Sequence, residues 1–302
     1  MSHNQEGRAM SNKIKIVVQL LRIQQWVKNV FILFPLIFSG RLYQVDRLID
    51  CAATFIGFCF IASSVYILND FMDRAQDRLH PKKSNRPLAQ NKLAVPSIMI
   101  LELLVLGLGL WICLQVNMVI LYAAVIYVLL HLIYNFYAKK IVILDVIFVA
   151  AGFQIRIWAG SFAAGVLPSE WLQLCVFLLA LFLGFTKRRH EISTLKERAL
   201  EHRKVLAHYT IYLLDQIIII CSTLTIVFYG LYAISSDIVL KTGNHNMVYS
   251  IVFVIYGIFR YLYLVHVKKM GDDTGEIIFS DKFLLSSILL WIAFVLGVLY
   301  LF

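Results

Sequence analysis

Asn69, Asp70, Asp73 and Asp77 lie in the segment 66–87, YILNDFMDRAQDRLHPKKSNRP, the densest run of chemically capable side chains in this 302-residue chain. Asn69, Asp73 and Asp77 are spaced i, i+4, i+8, so on a helix their oxygens share one face, with Asp70 one position off that stripe. Carboxylates this close repel one another unless a cation sits between them. An all-oxygen set without His or Cys suits Mg2+, which keeps several waters and accepts phosphate oxygens. The expected site is therefore Mg2+ bridged to a diphosphate. The plainer alternative is a polar loop whose acids pair with Arg74, Arg78 and Lys82.

A basic run follows at once: His80, Lys82, Lys83 and Arg86, with Pro81 among them, suit phosphate, and equally a positively charged loop beside a membrane. A second basic run, GFTKRRHE at 184–191, holds Lys187, Arg188 and Arg189 in succession. Successive helical residues point about 100° apart, so only one or two of these three can face a shared cavity. Tyr134, Lys139 and Lys140 close another apolar stretch, and Asp145 and Arg156 lie three helical turns apart on one face of the next. An Arg inside an apolar span avoids lipid, which leaves Arg156 either gripping an anion or joined in a structural charge pair. Near the N-terminus, in QQWVKN at 24–29, Trp26 suits an interfacial anchor, and Lys28 points either to headgroups or into the bundle.

The elements that must hold these groups are membrane helices. Hydrophobic residues make up 60% of the chain and charged ones 15%, so its long segments lack the polar face of a water-soluble helix. Nine stretches are long and apolar enough to cross a bilayer: 27–43, 48–68, 95–114, 117–138, 142–165, 171–186, 211–235, 247–267 and 283–302. The fold class expected is all-α and polytopic, with residues 1–24 a cytoplasmic N-terminal segment, unstructured over its polar first 12 residues and without a secretory signal. Residues 25–302 form a single transmembrane domain with cytoplasmic loops at about 69–94, 187–210 and 268–282. The long loops after the second and sixth spans hint at a duplicated four-helix unit, and the mixed charges of 268–282 suit a solvated loop.

The net charge of +10 raises the question of a nucleic-acid partner, and its distribution answers it. With the N-terminus inside, 23 of the 28 Lys and Arg fall on cytoplasmic segments; only Arg41, Arg47 and Lys241 lie opposite, with Arg156 and Arg260 inside spans. This is the positive-inside pattern of a multi-pass protein of the cytoplasmic (inner) membrane, N-terminus in and C-terminus out, in contact with lipid and without nucleic acid. Cysteines 51, 59, 113, 175 and 221 sit in apolar spans without ligand spacing and read as small buried hydrophobes.

With these residues in view, the chain resembles the UbiA superfamily of intramembrane prenyltransferases, whose first motif, Asn-Asp-x-x-Asp-x-x-x-Asp, stands here as Asn69, Asp70, Asp73 and Asp77. The resemblance implies nine helices around a cavity, a Mg2+-diphosphate site near the cytoplasm and lateral access for lipid. Ordinary members carry a second acidic motif after the sixth span, whereas this chain has Lys187, Arg188, Arg189 and only then Glu191. In that respect it is more similar to the decaprenyl-phosphate phosphoribosyltransferase branch, through QWVKN at 25–29, NDFMDRAQDRLHPKKSNRP at 69–87, ILDV at 143–146, GFQIRIWAG at 152–160, LALFLGFTKRRHE at 179–191 and RYLYLV at 260–265.

That branch implies transfer of 5-phosphoribose from phosphoribosyl pyrophosphate to a polyprenyl phosphate, supplying a cell-envelope glycan precursor. One acidic metal site and a separate basic site suit a donor with phosphate at both ends. On this reading Asp73 and Asp77 are the catalytic acids and Asn69, Asp70, Asp73 and Asp77 hold Mg2+. Lys28, Arg78, Lys83, Arg86, Tyr134, Lys139, Arg156, Lys187, Arg188 and Arg189 are the candidate substrate-binding residues. Two rival functions stand beside it: an aromatic prenyltransferase of quinone-type synthesis, and a transporter using Asp145, Arg156 and Arg260. The reading also allows assembly into a homo-oligomer.

Overall fold

Apolar runs of about 20 residues have one stable backbone solution in hydrocarbon, the helix, because every N–H and C=O must be satisfied within the segment. The computed structural model describes residues 16–79, 83–91, 94–195, 204–271 and 274–301, and all regular elements among them are helical. The tail expected at 1–12, His80 to Lys82, and Asp272 and Asp273 lie outside the described residues.

Among the described residues eight helices are long and apolar enough to span a membrane. They are α1 Val45–Met72, α2 Val95–Val116, α3 Met118–Phe136, α4 Leu144–Ala163, α5 Glu170–Leu195, α6 Ile211–Ala233, α7 Ile251–His266, which spans together with the 3-10 turn Asn246–Ser250 before it, and α8 Lys282–Tyr300. The ninth expected span, 27–43, takes another form: a 3-10 stretch of 11 residues, Ile23–Leu33, followed by a 5-residue α-helix, Phe34–Phe38. A 3-10 helix rises about 2.0 Å per residue against about 1.5 Å for an α-helix, so this short leading segment reaches roughly 30 Å, the thickness of the hydrocarbon core.

Local chemistry sets the helix ends. Pro96 opens α2. Asn117 ends α2 in an extended conformation and caps α3, its Oδ1 accepting from the Val119 N–H at 2.8 Å. Asp281 caps α8 in the same way and also receives both Arg260 Nε (3.1 Å) and a terminal guanidinium nitrogen (2.7 Å). Arg260 lies over the rings of Tyr263 and Phe283, so it ties α7 to α8 and does not line the cavity. This hydrogen-bonded guanidinium holds the Asp281 carboxyl below its ordinary range. The clamp is therefore complete above that range and is lost as pH falls through the depressed value.

Lipid tails are as apolar as leucine, so the helices are held by close packing rather than by escape from water. α1 and α2 touch through Gly57 and Gly109; a Cβ on Gly109 would stand 2.8 Å from the Gly57 carbonyl oxygen. The leading segment lies on α4 at Gly160, where a Cβ would come within 2.0 Å of the Ile32 carbonyl oxygen. Consecutive helices pack side by side round a ring, and the Tyr300 hydroxyl of α8 closes it by donating to the Ile37 carbonyl at 2.7 Å. The buried core divides accordingly. One cluster joins the leading segment to α1, α2, α3 and α4, and another joins α5, α6, α7 and α8 with Val146 of α4. Between them lies a cavity of about 1580 Å³.

Candidate active site

The polar end of the cavity begins where α1 runs out. The Asp73 N–H donates to the Asn69 carbonyl at 2.9 Å and the Asp77 N–H to the Asp73 carbonyl at 2.8 Å, so the helical path continues across the junction into the short helix Arg74–Leu79. The i, i+4, i+8 stripe survives that junction, and Asn69, Asp73 and Asp77 all line the cavity. Asp70, about 100° away, is not on the cavity wall. It is buried behind the stripe, accepting from Arg22 at 2.6 Å and from Arg86 at 3.0 Å.

Each acid of the stripe has a cation beside it. Lys139 Nζ is 2.6 Å from Asp73 Oδ1, and Arg86 is 2.6 Å from Asp77 Oδ2. Arg86 thus bridges Asp70 and Asp77 and folds the loop after Lys83–Asn85 back onto α1. Arg78, one residue past Asp77, points the other way and holds this loop, donating to the Ala89 carbonyl at 2.9 Å and to Asn91 Oδ1 at 2.7 Å. It is a loop clamp, off the cavity wall. The Lys83 side chain lies outside the described residues.

The basic run of α5 separates by direction, as helical geometry requires. Lys187 and Arg188 line the cavity. Arg189 does not; it turns to the far face, where it pairs with Asp215 of α6, which also meets His266 at 3.3 Å. Arg188 is buried between Asp145 of α4 and Glu191 one turn on, each at 2.7 Å. Asp145 also accepts from the Tyr209 hydroxyl at 2.8 Å, and that hydroxyl receives the Ile143 N–H at 2.6 Å. Burial, then the adjoining Asp145 carboxylate, pushes the Tyr209 hydroxyl well above its ordinary pKa. Asp145 is thus committed to Arg188 rather than to Arg156, although sequence spacing sets Asp145 and Arg156 on one face of α4.

Arg156 lines the cavity deeper in. It donates to Asn29 Oδ1 (2.7 Å), the Tyr127 hydroxyl (2.7 Å) and the Gly152 carbonyl (2.9 Å), and lies over the rings of Tyr127 and Phe153. All three acceptors are neutral, so its charge has no carboxylate partner among the described residues. Lys28 and Tyr134 also reach the wall.

Sequence reasoning missed Arg22, Asn29 and Tyr127. Asn29 and Tyr127 carried a faint signal as polar groups inside apolar stretches. Arg22 carried none, because its partner lies 48 residues away. Beyond the polar end the wall turns apolar and aromatic, with Phe31, Phe34, Phe38, Phe153 and Trp291.

The donor set Asn69, Asp73 and Asp77 is all oxygen on one wall, and it fits Mg2+, which needs only one or two protein carboxylates beside waters and substrate phosphates. Among the described residues no group of three or more His, Cys, Asp and Glu converges to cage a metal, so substrate oxygens would have to share the coordination.

Comparison with known proteins agrees with this architecture. The UbiA prenyltransferase family model matches residues 33–288. A decaprenyl-phosphate phosphoribosyltransferase of Corynebacterium glutamicum is 30% identical, over 98% of this chain and 90% of its own length. One of Mycobacterium tuberculosis is 31% identical, over 97% of each chain. Among solved structures, a UbiA homolog from Archaeoglobus fulgidus bound to GPP and Mg2+ superposes with a TM-score of 0.70 at 17% identity, over 94% of this chain and 99% of that one. A structure described for digeranylgeranylglyceryl phosphate synthase gives 0.61 at 19% identity, over 95% and 99%. These structural likenesses concern the fold.

Proposed function

This chain belongs to the UbiA prenyltransferase family, and from that premise we propose that it transfers 5-phosphoribose from phosphoribosyl pyrophosphate to a polyprenyl phosphate, releasing pyrophosphate. The observation that carries this reading is the charge of the cavity wall: eight Lys and Arg line it against three acids, two of which, Asp73 and Asp77, form one stripe just past the end of α1, the third being Glu191 on α5 beside Arg188. The donor has phosphate at both ends and the acceptor is itself a phosphate. Fixed cations away from the acidic stripe match that pair better than a prenyl diphosphate and a neutral phenol. The names borne by the full-length relatives point the same way.

Asn69, Asp73 and Asp77 are the residues that would hold Mg2+, whose chemistry when bound is to neutralise the charge gathering on the departing pyrophosphate. The family neighbour solved with Mg2+ supports that cofactor. Lys139 and Arg86, already at the acidic stripe, stand ready to exchange a carboxylate for a diphosphate oxygen. Lys187 lines the cavity from α5, and on this reading it receives the donor's other phosphate. Asp70 and Arg188 position the others: Asp70 fixes Arg86, and Arg188 joins α5 to α4.

In the reaction, an oxygen of the acceptor phosphate forms a bond to the anomeric carbon as the bond from that carbon to the pyrophosphate oxygen breaks, its electron pair leaving with pyrophosphate. The acceptor phosphate is already anionic near neutral pH, so no general base is required. The apolar, aromatic part of the cavity receives the isoprenoid chain. The polar end lies at the end of α1 that joins the Arg- and Lys-bearing loop, and the positive-inside bias sets that end in the cytosol, N-terminus in and C-terminus out.

The test is direct. Purified protein is incubated with ribose-labelled phosphoribosyl pyrophosphate, decaprenyl phosphate and Mg2+, and label is counted in the lipid fraction. Transfer is expected; folded protein that moves no label, or that instead prenylates a phenolic acceptor from a prenyl diphosphate, would refute the assignment.

A further inference from the structure

α1 and α3 run in the same direction, because one membrane-spanning helix, α2, turns back between them. Their polar stripes meet at the Asp73–Lys139 ion pair, 2.6 Å long. About one turn back from that pair along each lies an asparagine, Asn69 on α1 and Asn135 on α3, and both line the cavity. Asn135 is only 2% exposed, and its side-chain amide makes no hydrogen bond to any described residue; its Oδ1 is one of four buried side-chain oxygens without a partner among the described residues. Such a group is uncommon in a folded protein and costs stability unless something else supplies the missing bond.

The chemistry of the missing partner follows from the amide itself. Whichever way its plane is turned, a primary amide presents an oxygen that only a donor can satisfy and N–H groups that only an acceptor can satisfy. The isoprenoid chain offers neither, and ionised phosphate and pyrophosphate offer acceptors only. Among the groups carried by the two proposed substrates, only the ribose hydroxyls both donate and accept. They lie on the first and second carbons from the anomeric carbon, which must sit next to the diphosphate and, on the metal assignment above, near Asn69 and Asp73.

We infer that Asn135 is a specificity-determining residue that reads a ribose hydroxyl of the donor, so that the cavity distinguishes a glycosyl diphosphate from an isoprenyl one by a hydrogen bond as well as by charge. The inference rests on the phosphoribosyl donor proposed above. Asn69, assigned to the metal, is not asked to do this. Asn135 is adjacent to Tyr134 and four residues before Lys139, so the hydroxyl reader and a phosphate-facing cation belong to one stretch of chain and move together.

The experiment compares kcat/KM for phosphoribosyl pyrophosphate with its 3-deoxy and 2-deoxy-2-fluoro analogues, in wild type and in Asn135→Leu. Differences in intrinsic reactivity among the donors cancel between the two proteins. The expected result is that wild type prefers the natural donor over one analogue by an additional factor of about ten or more, and that Asn135→Leu loses this factor on the natural donor while turning over that analogue unchanged. Because the amide has no partner to abandon among the described residues, Asn135→Leu is expected to unfold in detergent no earlier than wild type. If it is not recovered folded, Asn135→Ser, too short to reach a ligand, serves in the same comparison. Transfer with the same donor preference in wild type and variant would overturn the role of Asn135 and leave the phosphoribosyl reading standing. Absence of any transfer from phosphoribosyl pyrophosphate by folded wild type would overturn both.

Discussion

The four residues of the acidic motif divide into two kinds by which side of α1 they occupy. Asp73 and Asp77 face the cavity; Asp70 faces Arg22 and Arg86. Replacing Asp73 or Asp77 with Ala is expected to lower transfer by about a thousandfold or more, the scale of losing an electrostatic contact to the reacting charge. Asp73→Asn should raise the Mg2+ concentration needed for half-maximal activity by tenfold or more, whereas Asp70→Asn should leave it unchanged and lower the thermal midpoint instead; Mg2+ titration of the three proteins separates them. Lys187→Ala should raise KM for the donor with little effect on kcat. The stripe at 69, 73 and 77 was legible in the sequence because helical spacing alone brings it together. The partners of Asp70 were not, since no local pattern joins Arg22 to a residue 48 positions on. Likewise, three consecutive cations at 187–189 announced that at most two would share a face, without saying that Arg188 would be held by Asp145 and Glu191.

At the level of elements, two contacts set where the walls stand. Arg188 joins α5 to α4 inside the bundle, and Arg188→Met strands two carboxylates without their cation. A loss of about 3–5 kcal/mol is expected, read as an earlier unfolding transition in detergent. Gly160→Ala drives a methyl group into the Ile32 carbonyl and should cost about 1–3 kcal/mol while loosening the leading segment from α4, read as faster proteolysis of that segment. Eight of the nine spans were readable because apolar length is itself the signal for a membrane helix. The leading segment was misjudged in form because hydrophobicity does not distinguish a 3-10 from an α-helix. The α5 span ran nine residues past its expected end at 186, to Leu195, because Asp145, Glu191 and Asp215 satisfy charges that composition alone assigns to water.

Across the whole molecule, one cavity combines an acidic stripe, a basic surround and an apolar aromatic end, and that gradient matches a water-soluble sugar donor meeting a lipid acceptor. The same polarity predicts topology: a reporter fused after residue 301 should be active on the side opposite the cytosol, and one placed in the loop near Asn91 should not. The measurement closest to the central claim follows three atoms of one donor, phosphoribosyl pyrophosphate carrying distinct labels in its ribose, its 5-phosphate and its terminal diphosphate phosphorus. Ribose and 5-phosphate labels should enter the lipid fraction in equal amounts, only with Mg2+ present, while the diphosphate label stays in water as pyrophosphate. Lipid that gains the diphosphate label, or that gains ribose without its phosphate, would contradict transfer of phosphoribose.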